Sequence, residues 1–203
     1  MSDLAVDQWV SFPCDVCGSP EHVLLGRRHQ VVRGRTRSFE MEIEDAACAQ
    51  CGFLYAPRRP SESFLHAYYS DAHDLYHSET EISLHYDVEE RLATVQRHLP
   101  SGARVLEVGA GDGSFTRRLV AAGYDASGVD PMVTDRASMI ARQFVGARAK
   151  SDQAVAVDAV VSYFVLEHVQ SPSRWLASAA EPLKPDGLIV LEVPDFAAFP
   201  RAS

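Results

Sequence analysis

The sequence contains no run that approaches the roughly 18 consecutive apolar residues of a membrane span. No secretory signal is expected either, because Met1-Ser-Asp-Leu-Ala-Val-Asp-Gln-Trp-Val-Ser-Phe12 has neither a basic start nor an apolar segment. A cytoplasmic chain without a membrane span is therefore expected. Positive charge is scarce as well. Nineteen Lys and Arg face 28 Asp and Glu, a net charge of −9. That balance excludes bulk nucleic-acid binding, which needs a cationic footprint. The 203 residues are 46% apolar, enough for a packed core and against wholesale disorder.

The acidity is uneven. Residues 61–100 hold eight acids and two arginines, together with His66, His73, His77, His85 and His98. A charged stretch of this kind reads as a solvated helical connector. It divides the chain into a module at 10–60, a connector at 61–100 and a domain at 101–203.

Cysteine is sparse, yet its four copies come as two pairs, Cys14-Asp-Val-Cys17 and Cys48-Ala-Gln-Cys51, each followed by glycine. A Cys-x-x-Cys turn brings two thiolates to one ion, and two such turns complete a tetrahedral four-sulfur site. Gly18 and Gly52 let the chain curl back around the metal. A redox pair would instead open a helix near a βαβ unit, and paired disulfides would call for an oxidising compartment. One closed, structural zinc ion held by Cys14, Cys17, Cys48 and Cys51 is expected. Between the pairs, Phe39-Glu-Met-Glu-Ile43 alternates as a strand does. Arg27, Arg28, Arg33, Arg35 and Arg37 read as an exposed hairpin, with contact to a phosphate-bearing substrate as the alternative.

From Ala103 onward short apolar runs alternate with helical patterns. Ala103–Val108 runs straight into Gly109-Ala-Gly111-Asp-Gly113 and then a helix on which Phe115, Leu119 and Val120 share a face, with Gly123 as C-cap. Tyr124–Val129 reads as a second strand, Asp135–Phe144 as a helix, the region near Phe144–Ala149 as a weak third strand and Val155–Phe164 as a fourth. Ser171-Pro172 opens a helix carrying Trp175, Leu176 and Ala179. Pro185-Asp186-Gly187 reads as a turn, and Leu188–Val193 as a buried fifth strand. This alternation means a doubly wound, mostly parallel α/β sheet.

The glycine loop aims backbone N–H groups at a ligand. A dinucleotide fingerprint would need glycine where Ser114 stands. Glu107 at the strand tip would repel a pyrophosphate and suits an ammonium or sulfonium group. Asp130, 17 residues after Gly113, is placed for the two hydroxyls of a ribose. These features disfavour a nicotinamide-dependent dehydrogenase and describe S-adenosylmethionine.

Val105-Leu-Glu-Val-Gly-Ala-Gly-Asp-Gly-Ser-Phe115 resembles the first motif of class I S-adenosylmethionine-dependent methyltransferases. Gly128-Val-Asp-Pro131, Asp158–Val169 and Leu183–Pro194 resemble their later motifs. The paired cysteines, followed by Cys51-Gly-Phe-Leu-Tyr-Ala-Pro57, are similar to the zinc-ribbon-bearing branch of sugar and polysaccharide biosynthesis, which includes nucleotide-sugar C-methyltransferases. The resemblance implies a Rossmann-like methyltransferase sheet preceded by a small zinc-ribbon-like module. It implies methyl transfer by direct displacement to a small molecule, such as a sugar, nucleotide-sugar or glycan precursor.

By motif, Glu107, Gly109, Ala110, Gly111 and Gly113 would hold the methionine moiety and Asp130 the ribose. Met132 would lie near the adenine, and Asp152 would accept from its amino group. Ser162, Tyr163 and Phe164 would line the cleft near the methyl group, with Val165 and Leu166 packed in the core. Tyr76, in Asp74-Leu-Tyr76-His-Ser78, and His168 are the catalytic candidates, with a structural role as the alternative for His168. The Glu-His pair that this group places after the fifth strand has no counterpart in Asp195–Ser203. Five strands are legible where such enzymes have seven, so the C-terminal part is expected to be missing. The fifth-strand edge would then be covered by the tail, the connector or a second copy of the chain. A cofactor-binding or scaffold protein that acts through its zinc module is the alternative function.

Overall fold

The computed structural model describes residues 4–5, 9–33, 38–61, 63–65, 67–68, 88–130 and 156–195. The chain divides into two units, Met1–Ile82 and Ser83–Ser203. The helix expected at 135–144, the weak strand near 144–149, Tyr76, Met132 and Asp152 lie outside the described residues.

The N-terminal unit is built on a long hairpin. Strand β3 (His22–Arg33) pairs antiparallel with β4 (Ser38–Cys48), and β4 also takes β1 (Leu4–Ala5) and β5 (Leu54–Tyr55). A second ribbon pairs β2 (Trp9–Ser11) with β6 (Arg58–Pro60). The core is small and aromatic. Phe39 is fully buried and meets Phe64 and Tyr68 edge-on, at ring distances of 5.6 and 5.1 Å. Arg58 and Arg59 lay their guanidinium groups over Trp9 and Phe12, covering apolar surface that so short a chain segment cannot bury with aliphatic side chains. On the hairpin surface Arg27 pairs with Glu42 and Glu44, and Arg28 with Asp45. These arginines are exposed, as the pattern implied, and their charge is met by acids of the facing strand.

The C-terminal unit opens with α1 (Val88–His98). It continues through β7 (Arg104–Val108), α2 (Ser114–Ala121), β8 (Asp125–Val129), β9 (Val157–Tyr163), α3 (Pro172–Ala180) and β10 (Leu183–Glu192). The four strands run parallel in the order β10-β9-β7-β8. Their alternation feeds two cores. Val105, Ala159 and Val161 point to one face, against Leu92 and Val95 of α1 and Phe115 and Leu119 of α2. Leu106 and Val160 point to the other, against Ala179 and Trp175 of α3. Both faces of the central strands are thus covered, which is why they read as unbroken apolar runs. The architecture is the expected doubly wound α/β sheet. None of the described helices is long and apolar enough to cross a membrane.

Local signals placed the elements well. Ser171 Oγ accepts from the Arg174 N–H at 3.3 Å, with Pro172 in the first turn of α3. Helix α2 ends in the paired bonds of a Schellman motif, Tyr124 N–H to Leu119 O and Gly123 N–H to Val120 O.

Three expectations are corrected. Val120 is 53% exposed; Thr116 completes the buried face instead, since Phe115, Thr116 and Leu119 span an arc that Val120 overshoots on a 3.6-residue turn. Pro185-Asp186-Gly187 does not separate two elements. It forms an irregularity inside β10, between Leu183 and Leu188, with Asp186 at φ 64°. Finally, β10 is half-buried where a buried strand was expected: Leu188 is 39% exposed, and among the described residues β10 pairs only with β9.

Candidate active site and cysteine cluster

Because all four strands run parallel, their carboxyl ends share one edge. The chain passes from β7 to β8 on one side and returns to β9 on the other, so the topological switch point lies between β7 and β9. Ligands of doubly wound sheets bind outside this point. The residues that leave the sheet here are Gly109 after β7, Asp130 after β8 and Phe164 after β9.

The glycine loop is pinned to the end of β8. The N–H groups of Gly109 and Ala110 donate to Val129 O at 2.8 and 3.1 Å, and the Gly111 N–H donates to Asp130 Oδ2 at 2.9 Å. Asp130 therefore fixes the loop that it was expected to flank. An ionised carboxylate has about four acceptor sites, so one side chain can hold the loop and meet a ribose hydroxyl together. Asp112 turns the chain into α2 by accepting from the Ser114 N–H at 2.9 Å.

Gly109 has a packing reason as well as a conformational one. At φ 82°, a Cβ there would come 2.1 Å from Val165 Cγ2. Val165 thus fills the space beside the loop, but it and Leu166 are only half-buried and lie outside both apolar cores, where core packing was expected of them.

Glu107 does not project from the strand tip. It is 5% exposed and lies under the loop, where it accepts a very short hydrogen bond from the Thr116 hydroxyl of α2. Burial pushes its carboxyl up to about 7, opposed by the Thr116 hydrogen bonds and the charge of Arg91. Thr116 escaped the sequence reading, although its place on the buried face of α2 beside a buried acid would have found it.

At the end of β9 the candidates divide. Ser162 is buried and its Oγ donates to Val108 O at 2.8 Å, which ties β9 to β7. Tyr163 packs edge-on against Phe115 at 5.0 Å. Its hydroxyl is buried and has no hydrogen-bond partner among the described residues, and burial, with the nearby Glu107 charge, raises its pKa. Phe164 adopts φ 56°, an uncommon conformation for a residue with a side chain. His168 ends a short 3-10 helix, Leu166–His168, with its side chain 55% exposed and 3.9 Å from Glu167.

One family model, described as "Methyltransferase domain", matches residues 81–201. The chain belongs to the methyltransferase-domain family. No curated protein sequence matches it. Among solved structures it is similar to a proposed methyltransferase of an antibiotic biosynthesis pathway from Anabaena variabilis, at 23% identity and a TM-score of 0.45. The likeness covers 57% of this chain and 49% of that one, so the chain spans about half the length of that structure. The family implies S-adenosylmethionine as cofactor, and the residues present fit it. Two carboxylates, one under the loop and one beside it, suit a cationic nucleoside better than a pyrophosphate.

In the N-terminal unit the four cysteines converge. All four Sγ atoms lie within 4.8 Å of one another, with Cys14–Cys51 at 3.6 Å and Cys17–Cys48 at 3.5 Å. These are not disulfides, whose sulfurs sit about 2.05 Å apart. They match the spacing of about 3.8 Å between thiolates 2.3 Å from a tetrahedral ion.

The two knuckles repeat one geometry. The N–H of Gly18 donates to Cys14 O, and that of Gly52 to Cys48 O. Both glycines stand at φ 75°. Backbone N–H groups point into the cluster: that of Cys51 leads in holding the Cys48 thiol down to about 6, with Gln50 N–H, Cys17 and Cys51 adding to it against desolvation. The donor set is closed, soft and all-protein, which suits a structural ion.

Proposed function

We propose that this methyltransferase binds S-adenosylmethionine at the β7–β8–β9 edge and methylates a sugar, nucleotide-sugar or glycan precursor, with one structural zinc ion in its N-terminal unit. The observation that carries the cofactor reading is the loop cross-link, in which Asp130 accepts from the Gly111 N–H at 2.9 Å while Glu107 lies buried beneath it. When bound, the cofactor supplies an electrophilic methyl group on a sulfonium. The loop N–H groups and Asp130 orient the nucleoside, Glu107 provides negative charge below the methionine end, and Tyr163 and Phe164 wall the cleft against water. Tyr76 and His168 are the proposed acceptor-side residues. The sugar class rests on the cysteine module's resemblance to that branch. A reducing, cytoplasmic setting accords with four unbridged cysteines.

Titration calorimetry with S-adenosylhomocysteine tests the cofactor site. Asp130→Ala should weaken binding by roughly tenfold to a hundredfold, the worth of a hydrogen bond to a charged group, without unfolding the domain. Undiminished affinity in that variant would show that the ribose lies elsewhere. A methyl-transfer assay across nucleotide sugars tests the acceptor class, and transfer to none of them would count against it.

A further inference from the structure

Arg91 and Glu192 carried no role in the sequence, yet they meet beside the C-terminal end of β9. Arg91 lies on α1 with its side chain 12% exposed. Its Nε donates to Glu192 Oε2 at 2.9 Å and its Nη2 to Glu192 Oε1 at 2.8 Å, the bidentate arrangement that fixes both partners in plane. The same guanidinium lies 4.4 Å from the ring centre of Tyr163 and 5.3 Å from that of Phe164. Glu192 holds the end of β9 a second way. It is the register partner of Tyr163, and its carbonyl accepts from the Phe164 N–H at 2.9 Å. Two elements therefore clamp Phe164, the one non-glycine residue with a left-handed backbone among those described at this edge of the sheet. Strained positions of this kind persist where their surroundings over-determine them, and they cluster at ligand sites.

We propose that the Arg91–Glu192 pair is a positioning device for methyl transfer: it sets the Tyr163 and Phe164 rings against the cofactor and presents a fixed positive charge to Glu107. This rests on the cofactor reading above. The groups that face Glu107 are Thr116 from α2, Asp112 from the loop, Tyr163 from β9 and Arg91 from α1. Of these only Arg91 is cationic. Its charge favours the ionised carboxylate that burial opposes, and the ionised form is the one that attracts the cofactor's ammonium group.

The test is calorimetric titration of the zinc-loaded chain with S-adenosylhomocysteine between pH 6 and 9. It compares the wild type with Arg91→Met, Arg91→Lys, Glu192→Gln and Asp130→Ala. In the wild type, affinity should fall as pH drops through about 7, where Glu107 takes up a proton. Arg91→Met should weaken binding tenfold or more at pH 7.5 and move that midpoint upward by about one pH unit, as loss of a nearby opposite charge does. Arg91→Lys keeps the charge without the fork, so it should lose several-fold in affinity and leave the midpoint in place. Glu192→Gln should also lose several-fold in affinity, and, because it removes the anion paired with Arg91, it should not raise the midpoint. A purely structural pair would lower the unfolding temperature without moving the midpoint.

Wild-type affinity and midpoint in a folded Arg91→Met would overturn the proposal. If Arg91→Met does not fold, wild-type affinity in both Arg91→Lys and Glu192→Gln overturns it instead. Weakening by Asp130→Ala alone would refute the positioning role and leave the cofactor reading standing. A wild type that binds no S-adenosylhomocysteine would remove both.

Discussion

Replacing Glu107 by glutamine should stabilise the C-terminal unit and impair it. Burial raises the carboxyl from 4.5 to about 7, which corresponds to about 3 kcal/mol against the ionised form in the folded state. The sign follows from proton linkage. Below about pH 4.5 both folded and unfolded forms are protonated and the acid imposes no penalty. Between 4.5 and 7 the unfolded chain ionises first, so stability falls as pH rises. Above 7 the full cost is present. Glutamine has no charge to desolvate, and its amide oxygen still accepts from Thr116. At pH 8 Glu107→Gln should therefore be more stable than the wild type by up to about 3 kcal/mol, and at pH 4 the two should converge. Urea denaturation from pH 4 to 8, followed by Trp175 fluorescence in a Trp9→Phe background, reads this difference from the C-terminal unit. The same variant should bind S-adenosylhomocysteine more weakly, the trade of stability for function seen where a site stores a buried charge. A stability difference that stays constant across this pH range would refute the assignment of Glu107 as a buried, reluctantly ionised acid.

Other outcomes follow from single contacts. Gly109→Ala should cost about 2–4 kcal/mol, from left-handed strain and overpacking, because its Cβ would lie 2.1 Å from Val165 Cγ2. Adding Val165→Ala should recover part of that loss, and strict additivity of the two in denaturation would show that the clash is not there. Cys14→Ser or Cys48→Ser should release about one zinc ion per chain by elemental analysis and unfold the N-terminal unit; retained metal in either variant would rule out the four-cysteine site. Ser171→Ala should destabilise α3 by about 1 kcal/mol through loss of its N-cap, and an unchanged thermal midpoint would mean that the Arg174 N–H finds an equal partner.

The features legible in the sequence are those whose physics is local. A Cys-x-x-Cys-Gly turn bonds within five residues, and Gly18 and Gly52 each close such a turn onto the preceding first cysteine. The glycine loop, the Ser171 cap and the Schellman end of α2 are likewise written over a few positions. The apolar runs of β7 and β9 announced a sheet buried on both faces, because each alternate residue meets a helix.

Only the tertiary structure decided what distant residues do to one another. Arg91 and Glu192 stand 101 residues apart, and no periodicity relates them; the parallel register of β9 and β10 places Glu192 beside Tyr163, where α1 can reach it. Glu107 could be read as an acid at a strand tip, but packing of α2 on β7 turned it under the loop and onto Thr116. Ser162 was a cleft candidate by position, and the neighbouring strand claimed its hydroxyl. Backbone turns are set by the residues within them, whereas the charge and strain of this site are set by which strands and helices come to share its edge.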